Sequence, residues 1–554
     1  MRTKRMILLI NILVFALMVT TAQVMAANDF METGGCTIIA VGKDASVNGT
    51  AMITHNDDSS GADFRLWIIP EMDWPEGSMR DIVVDSHNYI DFGNWPKVDY
   101  TENDNVAVVG QIPQVAHTYR YFHSRYSFMN EMGVTMGEST FGVGTHMPKG
   151  EDKKRIMEDE SEGIIDCWYA QDIALERAKT AREAVRIMGD LVEEFGWLGP
   201  GETMDITDGD EVWIAEFYGR DVWCAVKIPN DHIFVAANMA RIRDVDLSDT
   251  ENVMHSPNLI SFAVEQGWYD PNSGEPFQPA DIYAPHDQLY STRRVWRVSS
   301  LVAPSLVIDP DDIFFPLSVK PEKKLSVHDV FKLKGDYYQG TEFDISTGPA
   351  AGPFGDPLRY PNTPGHNERA ITIMRTCYIH IGEVDPNVPA PFKGVSWYGY
   401  GSPDSTYLTP LWPIMKELPV FYEIGSRYEP FRRDSGWWIN TYTQEMAQLN
   451  YQAAIQDIYA LRDPKLQGLY EIVPKIQETA AGLYQKSPEA AIQLVSDFAY
   501  NTAVGWNKDW EQLGNVLLAK YWSLNTRKTP KWFDEVSEKW ANENMPRIGK
   551  RLEK

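Results

Sequence analysis

The chain has 554 residues, of which 43% are hydrophobic, and it contains no low-complexity tract. A chain of this length can bury a large core, and its composition is that of a globular protein. Its 78 acidic residues outnumber its 51 basic residues and give a formal net charge of −27. Because binding to phosphates needs a basic face, we do not expect nucleic acid as a partner.

The segment 1–26 has the pattern of a secretory signal peptide. Basic residues among the first five precede an apolar run at 6–19, and small residues around Ala26 supply a cleavage site. The alternative is an uncleaved membrane anchor, but the apolar run is shorter than the roughly 20 residues that a span requires. We therefore expect an exported protein, periplasmic or extracellular, with no stable membrane anchor after cleavage.

A short polar segment, ANDFMETGG at 27–35, separates this signal peptide from Cys36. Lipid attachment would need the cysteine directly after the apolar run, and the charged residues between them argue against it. Gly34 and Gly35 allow the unusual backbone conformation that a bond to be cut requires. We interpret 27–35 as a short propeptide and Cys36 as the first residue of the mature protein.

The segment 36–58, CTIIAVGKDASVNGTAMITHNDD, predicts a β-hairpin, because two alternating β-branched runs flank a turn-rich segment. An N-terminal cysteine carries a thiol nucleophile and a free α-amine with a pKa of about 8, which can act as the base beside it. Attack on an amide would give an oxyanion that needs hydrogen-bond donors, and then a thioester. From the residues alone, a buried structural cysteine on an edge strand is an equal alternative.

Alternating and helical patterns follow the hairpin. Strands are predicted at 64–69, 82–84, 106–112 and 132–136. Asp166 is predicted to cap a helix that runs to Arg177, and Thr180 is predicted to cap a second helix that ends near Phe195.

A strand meander comes next, with predicted strands at 202–207, 211–217 and 222–228. The Asp-Gly turn at 208–209 favours a hairpin between the first two of these strands. The apolar run IFVAANMARI at 233–242 predicts a further strand, which contains a polar step at Asn238.

The second half of the chain is predicted to be richer in helices. Helices are expected at 257–268, 288–302 and 326–333, and strands at 370–381 and 394–400. From 435 onward apolar residues recur at three- and four-residue spacing, which is typical of helices. Strand-rich blocks with helices between and after them predict an α+β fold.

The four cysteines, at 36, 167, 224 and 377, show no spacing of a metal site. If Cys36 is the nucleophile, at most one disulfide can form among the other three. Buried free thiols are the preferred interpretation for these three residues.

The hairpin segment resembles the mature N-terminus of the PepD-type dipeptidases, which are N-terminal-nucleophile (Ntn) hydrolases related to penicillin V acylase and bile salt hydrolase. The resemblance extends over nearly all of the chain after residue 35. Its segments are PQVAHTYRYFHSRYSFMNEMGVTMGEST at 113–140, IFVAANMARI at 233–242, YSTRRVWR at 290–297, YYQGTEFDISTGPAAGPFGDPLRY at 337–360, ITIMRTCYIHIGEVD at 371–385 and GSRYEPFRRDSGWWINTYT at 425–443. It implies a four-layer αββα sandwich over 36–434, with the helical region 435–554 packed on it. It also implies a cysteine dipeptidase that is matured by autocatalytic cleavage before Cys36 and needs no cofactor.

The resemblance also implies roles for individual residues. Cys36 matches the nucleophile, and Asp58 matches the carboxylate that holds the amine and thiol of the nucleophile in place. Asn238 matches the side-chain amide donor of the oxyanion hole, and Arg294 matches an active-site arginine, although Arg293 beside it leaves the register open by one. The alternatives are a turn residue for Asp58, a turn former for Asn238 and a helix surface charge for Arg294.

Four further residues are expected near the site. His55 stands where many relatives carry an arginine, and it either contributes to the local charge or has a passive structural role. Glu138 is a candidate for binding the free amino group of a dipeptide, and Ser139 or Thr140 could supply a hydrogen bond.

A metal is not expected at this site or elsewhere. The spacing of His117 and His123 could suggest a metal site, but no accompanying carboxylate–histidine pattern supports one. We therefore predict neither a metal nor another cofactor.

Two alternative functions remain open. The same chemistry would suit an N-acyl amide hydrolase. Because His55 replaces the arginine that many relatives carry, a non-catalytic, peptide-binding surface protein is the other alternative. The sequence does not determine the dipeptide preference, and formation of a homo-oligomer is left open.

Overall fold

A computed structural model of the chain describes residues 35–59, 64–83, 108–159, 162–359, 369–425, 430–523, 535 and 538–539. The predicted signal peptide, all of the predicted propeptide except Gly35, and most of the predicted helical region beyond 523 lie outside the described residues.

The strands belong mainly to two antiparallel sheets. In chain order they are β1 (Ile38–Val41), β2 (Ala51–Asp57), β3 (Trp67–Ile69), β4 (Met72–Asp73), β5 (Met79–Val83), β6 (Val108–Pro113), β7 (His117–Thr118), β8 (Tyr121–His123), β9 (Met129–Asn130), β10 (Thr135–Phe141), β11 (Gly201–Thr207), β12 (Val212–Gly219), β13 (Val222–Lys227), β14 (Ile233–Ala236), β15 (Val253–His255), β16 (Ser318–Val319), β17 (Tyr378–Val384), β18 (Gly394–Tyr400) and β19 (Thr409–Leu411).

The α-helices are α1 (Gly150–Lys154), α2 (Cys167–Arg177), α3 (Ala181–Phe195), α4 (Leu259–Glu265), α5 (Pro279–Tyr283), α6 (Leu289–Val302), α7 (Val327–Lys334), α8 (Gly436–Ala447), α9 (Tyr451–Tyr484) and α10 (Pro488–Tyr521). Short 3₁₀ turns lie at Lys43–Ala45, Pro349–Phe354, Pro357–Arg359, Val420–Tyr422 and Gln448–Asn450, and a π-turn lies at Arg155–Asp159. None of the described helices combines the length and apolarity needed to cross a membrane.

The first sheet has the strand order β16-β14-β1-β2-β17-β18-β19, and the second has the order β15-β13-β12-β11-β10-β9-β8-β3. Two separate ribbons pair β4 with β7 and β5 with β6. The N-terminal hairpin β1–β2 therefore lies at the centre of the first sheet, with β14 on one side and β17 on the other. This position makes its first residue part of the interior.

The two faces of β1 serve different layers, because successive side chains on a strand point to opposite sides. Ile38 and Ala40 belong to one apolar cluster with Ile214 of β12, in the second sheet. Ile39 belongs to another cluster with Val330 of α7. The first sheet thus packs against the second sheet on one face and against helices on the other.

Helices cover both sheets. On the second sheet, α2 packs against β8 and β9, and α3 packs against β11, β12 and β13; α2 also contacts β7 of the separate ribbon. The first sheet is contacted by α6 at β14, α7 at β17, α8 at β18 and α10 at β19. The predicted α+β class is confirmed, whereas the finer assignment to the Ntn fold and the domain boundaries at 36–434 and 435–554 stay predictions.

The local sequence signals explain where most elements begin. The Asp166 carboxylate accepts a hydrogen bond from the Tyr169 N–H at 2.7 Å, and the Thr180 hydroxyl caps the next helix in the same way. The hairpin predicted at the Asp-Gly turn is present, with Gly209 at φ +95°. Cysteines 36, 167, 224 and 377 are all buried, and none of these four described residues is in a disulfide.

Several predicted strands have different bounds in the structure, and three of these differences have a clear cause in the backbone. The strand predicted at 132–136 begins at Thr135, because Gly133 at φ +78° still belongs to the preceding turn. The strand predicted at 233–242 ends at Ala236, because Asn238 adopts a left-handed conformation at φ +57° and turns the chain out of the sheet. The strand predicted at 370–381 begins only at Tyr378, after turns and irregular backbone.

The C-terminal helices pack on the first sheet through aromatic side chains. Trp510 of α10 is completely buried, and its ring centroid lies 4.9 Å from that of Tyr407, close to β19. Trp506, one turn earlier, stacks on the same tyrosine at 4.9 Å. This aromatic group fixes the helical region to the sheet.

Replacing Trp510 with Ala should lower the free energy of unfolding by about 3–5 kcal/mol, because it empties a buried aromatic site. Urea unfolding followed by circular dichroism measures the change. The matched control is Trp522→Ala, whose side chain is 70% exposed and whose loss should cost less than about 0.5 kcal/mol. Equal effects of the two substitutions would show that the helical region does not depend on this contact.

Candidate active site

Cys36 lies just before β1 and is only 2% exposed. It forms an isolated antiparallel bridge with Asp57, at the end of β2, so the hairpin itself positions it. Its side chain faces the second sheet, while its backbone faces α6 and the loop before β17. Each side presents a different set of polar groups.

The thiol side is formed by β2 and β10. Cys36 Sγ donates to Glu138 Oε1 at 3.0 Å, and the same carboxylate oxygen lies 2.9 Å from His55 Nε2. His55 Nδ1 is 2.6 Å from the Tyr378 hydroxyl. The structure therefore brings the predicted residues Glu138 and His55 together at the sulfur atom.

Electrostatics on this side favour the protonated thiol. Burial raises the pKa of Cys36 well above its ordinary value, and the nearby Glu138 and Asp57 raise it further. Burial also acts to raise the pKa of Glu138, but His55 and hydrogen bonds outweigh it and hold that pKa at about 2. The pKa of the neighbouring Glu202 is raised by burial and by the Glu138 charge. Attack by this sulfur therefore needs a base that takes the thiol proton.

Thr140 joins the two glutamates. Its hydroxyl lies 2.8 Å from Glu202 Oε1 and 3.3 Å from Glu138 Oε2. A buried carboxylate next to a protonated carboxyl is the stable arrangement of two acids at short range, since both cannot ionise at low cost.

The sulfur, imidazole and carboxylate could also hold a cation. Within the part of the chain that the structure describes, the ligand atoms of Cys36, His55 and Glu138 lie within 4.8 Å of one another. Such a donor set suits a thiophilic divalent ion. The sequence-based expectation of no metal stays a prediction. His117 and His123, in contrast, are placed beside Asp73 and Asp172 respectively.

Asn238 faces the backbone of Cys36. Its Oδ1 accepts from Cys36 N at 3.2 Å, while its Nδ2 donates to the Thr140 carbonyl at 2.8 Å. Ser139 Oγ accepts from Asn238 N at 2.8 Å, so Ser139 and Thr140 support Asn238 from behind. The predicted donation from Asn238 to an oxyanion stays a prediction, since the oxygen of its amide faces Cys36 in this arrangement.

Arg294 of α6 lies against the same backbone. Its Nη1 donates to the Cys36 carbonyl at 2.6 Å and to Thr37 Oγ1 at 2.8 Å. Arg293 points elsewhere: it pairs with Asp311 at 3.1 Å and stacks on Phe343. Of the two neighbouring arginines, Arg294 is thus the one beside Cys36.

Asp58 reaches Cys36 through an arginine. Its carboxylate forms a buried ion pair with Arg369 Nη1 and accepts from Asn56 Nδ2 at 2.6 Å. Arg369 Nη2 lies 3.4 Å from the Cys36 carbonyl. The Asp58 backbone N–H donates to the Gly35 carbonyl at 2.7 Å.

Sequence reasoning missed four residues on the side of the site that the backbone of Cys36 faces, where basic side chains predominate. They are Tyr290, Lys334, Arg369 and Arg375. Lys334 Nζ donates to the Thr37 carbonyl, and Arg375 donates to the Asp58 carbonyl at 2.6 Å and to the Tyr290 hydroxyl at 3.1 Å. Arg369 and its partner Asp58 are 311 residues apart, and no local sequence pattern predicts a pair at that separation. The available signals were the positions of Tyr290 and Arg375 inside the resembling segments 290–297 and 371–385.

The sequence profile of peptidase family C69 matches residues 35–463. The chain belongs to peptidase family C69. The match begins one residue before Cys36 and spans both sheets and the residues of the site. This member of family C69 is therefore assigned to the peptidases.

Relatives named as dipeptidases match most of the chain. The chain is 29% identical over 408 residues to a "Probable dipeptidase" of Salmonella dublin. This alignment covers 72% of the chain and 84% of the relative. It is 27% identical over 415 residues to a "Dipeptidase" of Bifidobacterium longum (strain NCC 2705), covering 70% and 73%. It is 24% identical over 490 residues to "Dipeptidase A" of Lactobacillus helveticus, covering 86% and 95%.

The burial of the Asp57 carboxyl group predicts that the stability of the fold depends on pH. Burial raises its pKa from 3.8 to about 6, although Arg125 and His55 oppose this. Between these values the folded protein keeps a proton that the unfolded chain has released, so stability falls as the pH rises from about 4 to about 6. The loss from this one group is about 3 kcal/mol.

Asp57→Asn should remove this contribution and make the decline of unfolding free energy across that pH window shallower. Denaturant unfolding at a series of pH values measures the slope. The control is Glu76→Gln, which changes an exposed carboxylate and should leave the slope unchanged, because a charge surrounded by water contributes little to stability. A wild-type slope in Asp57→Asn would contradict the prediction.

Proposed function

We propose that this chain is an exported cysteine dipeptidase of the Ntn type, with Cys36 as its N-terminal nucleophile. The observation that carries the proposal is the environment of Cys36, where separate polar groups hold the sulfur, the backbone nitrogen and the carbonyl oxygen. The packing of one sheet on another with helices outside is in keeping with the Ntn assignment. The names of the relatives support dipeptides as the substrate class.

In the mature enzyme the free α-amine of Cys36 accepts the thiol proton, and the thiolate attacks the carbonyl carbon of the substrate. The tetrahedral oxyanion collapses, the C–N bond breaks, and the leaving amine takes the proton back from the Cys36 ammonium. Water then attacks the thioester, which releases the second product and restores the thiol. Asn238 Oδ1, which lies 3.2 Å from Cys36 N, positions the amine for both proton transfers.

Maturation uses the same sulfur on the chain itself. Cys36 Sγ attacks the Gly35 carbonyl carbon, the thiol proton passes to the Cys36 nitrogen as the Gly35–Cys36 C–N bond breaks, and water hydrolyses the resulting thioester. The Asp58 N–H, which donates to the Gly35 carbonyl at 2.7 Å, stabilises the oxyanion of this step. The pattern of 1–26 supports export of the precursor, and the mass of the secreted protein gives its first residue.

An N-acyl amide hydrolase is the second candidate, because it would use the same nucleophile. A panel of dipeptides with free amines, set against N-acylated amino acids, separates the two. Glu138 beside the sulfur favours the dipeptides, since its carboxylate suits an ammonium group.

Replacing Cys36 with Ala should abolish dipeptide hydrolysis, with a loss of at least about 10³-fold in kcat. The same variant should retain the segment 27–35, because the nucleophile of the maturation step is gone. Hydrolysis assays and intact mass measure the two results.

The matched control is Cys224→Ala, which removes an equally buried thiol from β13. It should mature and hydrolyse dipeptides at close to the wild-type rate. Full activity in Cys36→Ala would exclude the proposed mechanism.

The space around Gly35 predicts that only glycine supports efficient maturation. A Cβ atom there would lie 2.5 Å from the Tyr290 hydroxyl and 2.8 Å from Arg369 Nη2, both too short for a carbon contact. Gly35→Ala should therefore slow cleavage before Cys36 by at least about tenfold, as expected for a displacement of about 1 Å at the reacting bond. A time course of intact mass after expression follows the cleavage.

Adding Tyr290→Phe to Gly35→Ala removes the nearest of these atoms and should restore part of the maturation rate. Tyr290→Phe alone serves as the control for other effects of the lost hydroxyl. Unimpaired cleavage of Gly35→Ala would show that this space tolerates a side chain.

A further inference from the structure

The charges around Cys36 are divided by sign. On the sulfur side lie Glu138, Glu202 and Asp57, with His55 between them. On the backbone side lie Arg294, Arg369, Arg375 and Lys334, with Asp58 among them. A dipeptide is a zwitterion with one charge of each sign at its ends, so a divided site can orient it.

The basic side has more positive than negative charge. The Asp58 carboxylate pairs with Arg369, whereas Arg294 donates to carbonyl, hydroxyl and amide oxygens that carry no charge. Burial and the neighbouring Arg369 both lower the pKa of Arg294, to about 9, and they also lower the pKa of Arg375. An anion beside these guanidinium groups would be stabilised.

Gly35 occupies the space in front of these groups. Its carbonyl oxygen accepts from the Asp58 N–H at 2.7 Å, and a Cβ atom added to it would meet the Tyr290 hydroxyl and the Arg369 guanidinium. Arg375 Nη2 donates to the same Tyr290 hydroxyl at 3.1 Å. The space thus presents a backbone N–H, a hydroxyl and the Arg369 guanidinium, and the Arg375 guanidinium is hydrogen-bonded to that hydroxyl. Together these groups are a donor set for a carboxylate.

We propose that this space, the Gly35 subsite, binds the free α-carboxylate of a dipeptide after residue 35 has been released. The inference rests on the proposed function and names how its substrate is held. Gly35 lies one residue from Cys36, and one residue spans about 3.3–3.6 Å. The leaving amine of the dipeptide lies beside Cys36 N, from which it takes its proton, and its α-carboxylate lies within one residue of that atom.

The same geometry explains a preference for dipeptides over longer chains. In a tripeptide the subsite would receive an uncharged peptide carbonyl instead of a carboxylate, and the charge-assisted hydrogen bonds would be lost. At the other end of the substrate, the ammonium group would face the acidic side of the site.

The test compares dipeptides such as alanyl-alanine with their C-terminal amides, using mature enzyme whose N-terminus is verified by mass. The wild type should hydrolyse the free acid with a kcat/KM at least about tenfold above that of the amide. Arg375→Gln should lower the kcat/KM for the free acid by about 10- to 100-fold, mainly through KM, and bring the ratio of acid to amide close to one. Arg375→Lys should keep part of the preference, because it keeps the charge.

Three outcomes would overturn the Gly35 subsite. If the wild type hydrolyses acid and amide equally well, the subsite is wrong while the dipeptidase chemistry stands. If Arg375→Gln slows both substrates by the same factor and leaves their ratio unchanged, Arg375 has only a structural role. If verified mature wild type hydrolyses neither, the proposed function fails and the subsite with it. The control is Arg433→Gln, which removes an exposed arginine that pairs with Glu511 of α10. It should leave the ratio of acid to amide hydrolysis as in wild type.

Discussion

The buried ion pair between Asp58 and Arg369 is the interaction on which the rest of the site depends. Both side chains are almost completely buried, so neither charge is hydrated, and each needs the other to offset its desolvation. The pair ties the end of the first hairpin to a segment 311 residues further along the chain. Because Arg369 also reaches the Cys36 carbonyl, the pair fixes the position of the nucleophile as well as the hairpin.

Around this pair the fold supplies two distinct environments for one residue. The central place of β1 and β2 in the first sheet leaves the backbone of Cys36 facing the helical side, where arginines hold its carbonyl oxygen. The packing of the second sheet brings Glu138 of β10 to its sulfur. A single cysteine at a sheet–sheet boundary can therefore have its backbone in a basic environment and its thiol in an acidic one. The family match from residue 35 covers all of these elements.

Much of this arrangement could be predicted from the sequence, and the exceptions have physical causes. Local sequence patterns predict the N-terminal hairpin, the helix caps at Asp166 and Thr180, and the strand meander after residue 201, and the structure contains all of them. The strand through Asn238 was extended too far, because an apolar run does not reveal a left-handed residue within it. Arg369 was missed because burial of a charge and its pairing depend on tertiary contacts.

The distribution of these contacts along the chain has a consequence for the order of events in folding. The groups that hold Cys36 come from residues near 58, 138, 238, 294 and 369. They lie on β10, on α6 and in the loops that follow β2 and β14 or precede β17. A nascent chain that has emerged only as far as residue 300 has the cysteine, the glutamate and the asparagine, yet lacks the counter-ion of Asp58. The set of groups around Cys36 is therefore complete only when folding is complete. A chain still being synthesised has the cysteine without all of its partners.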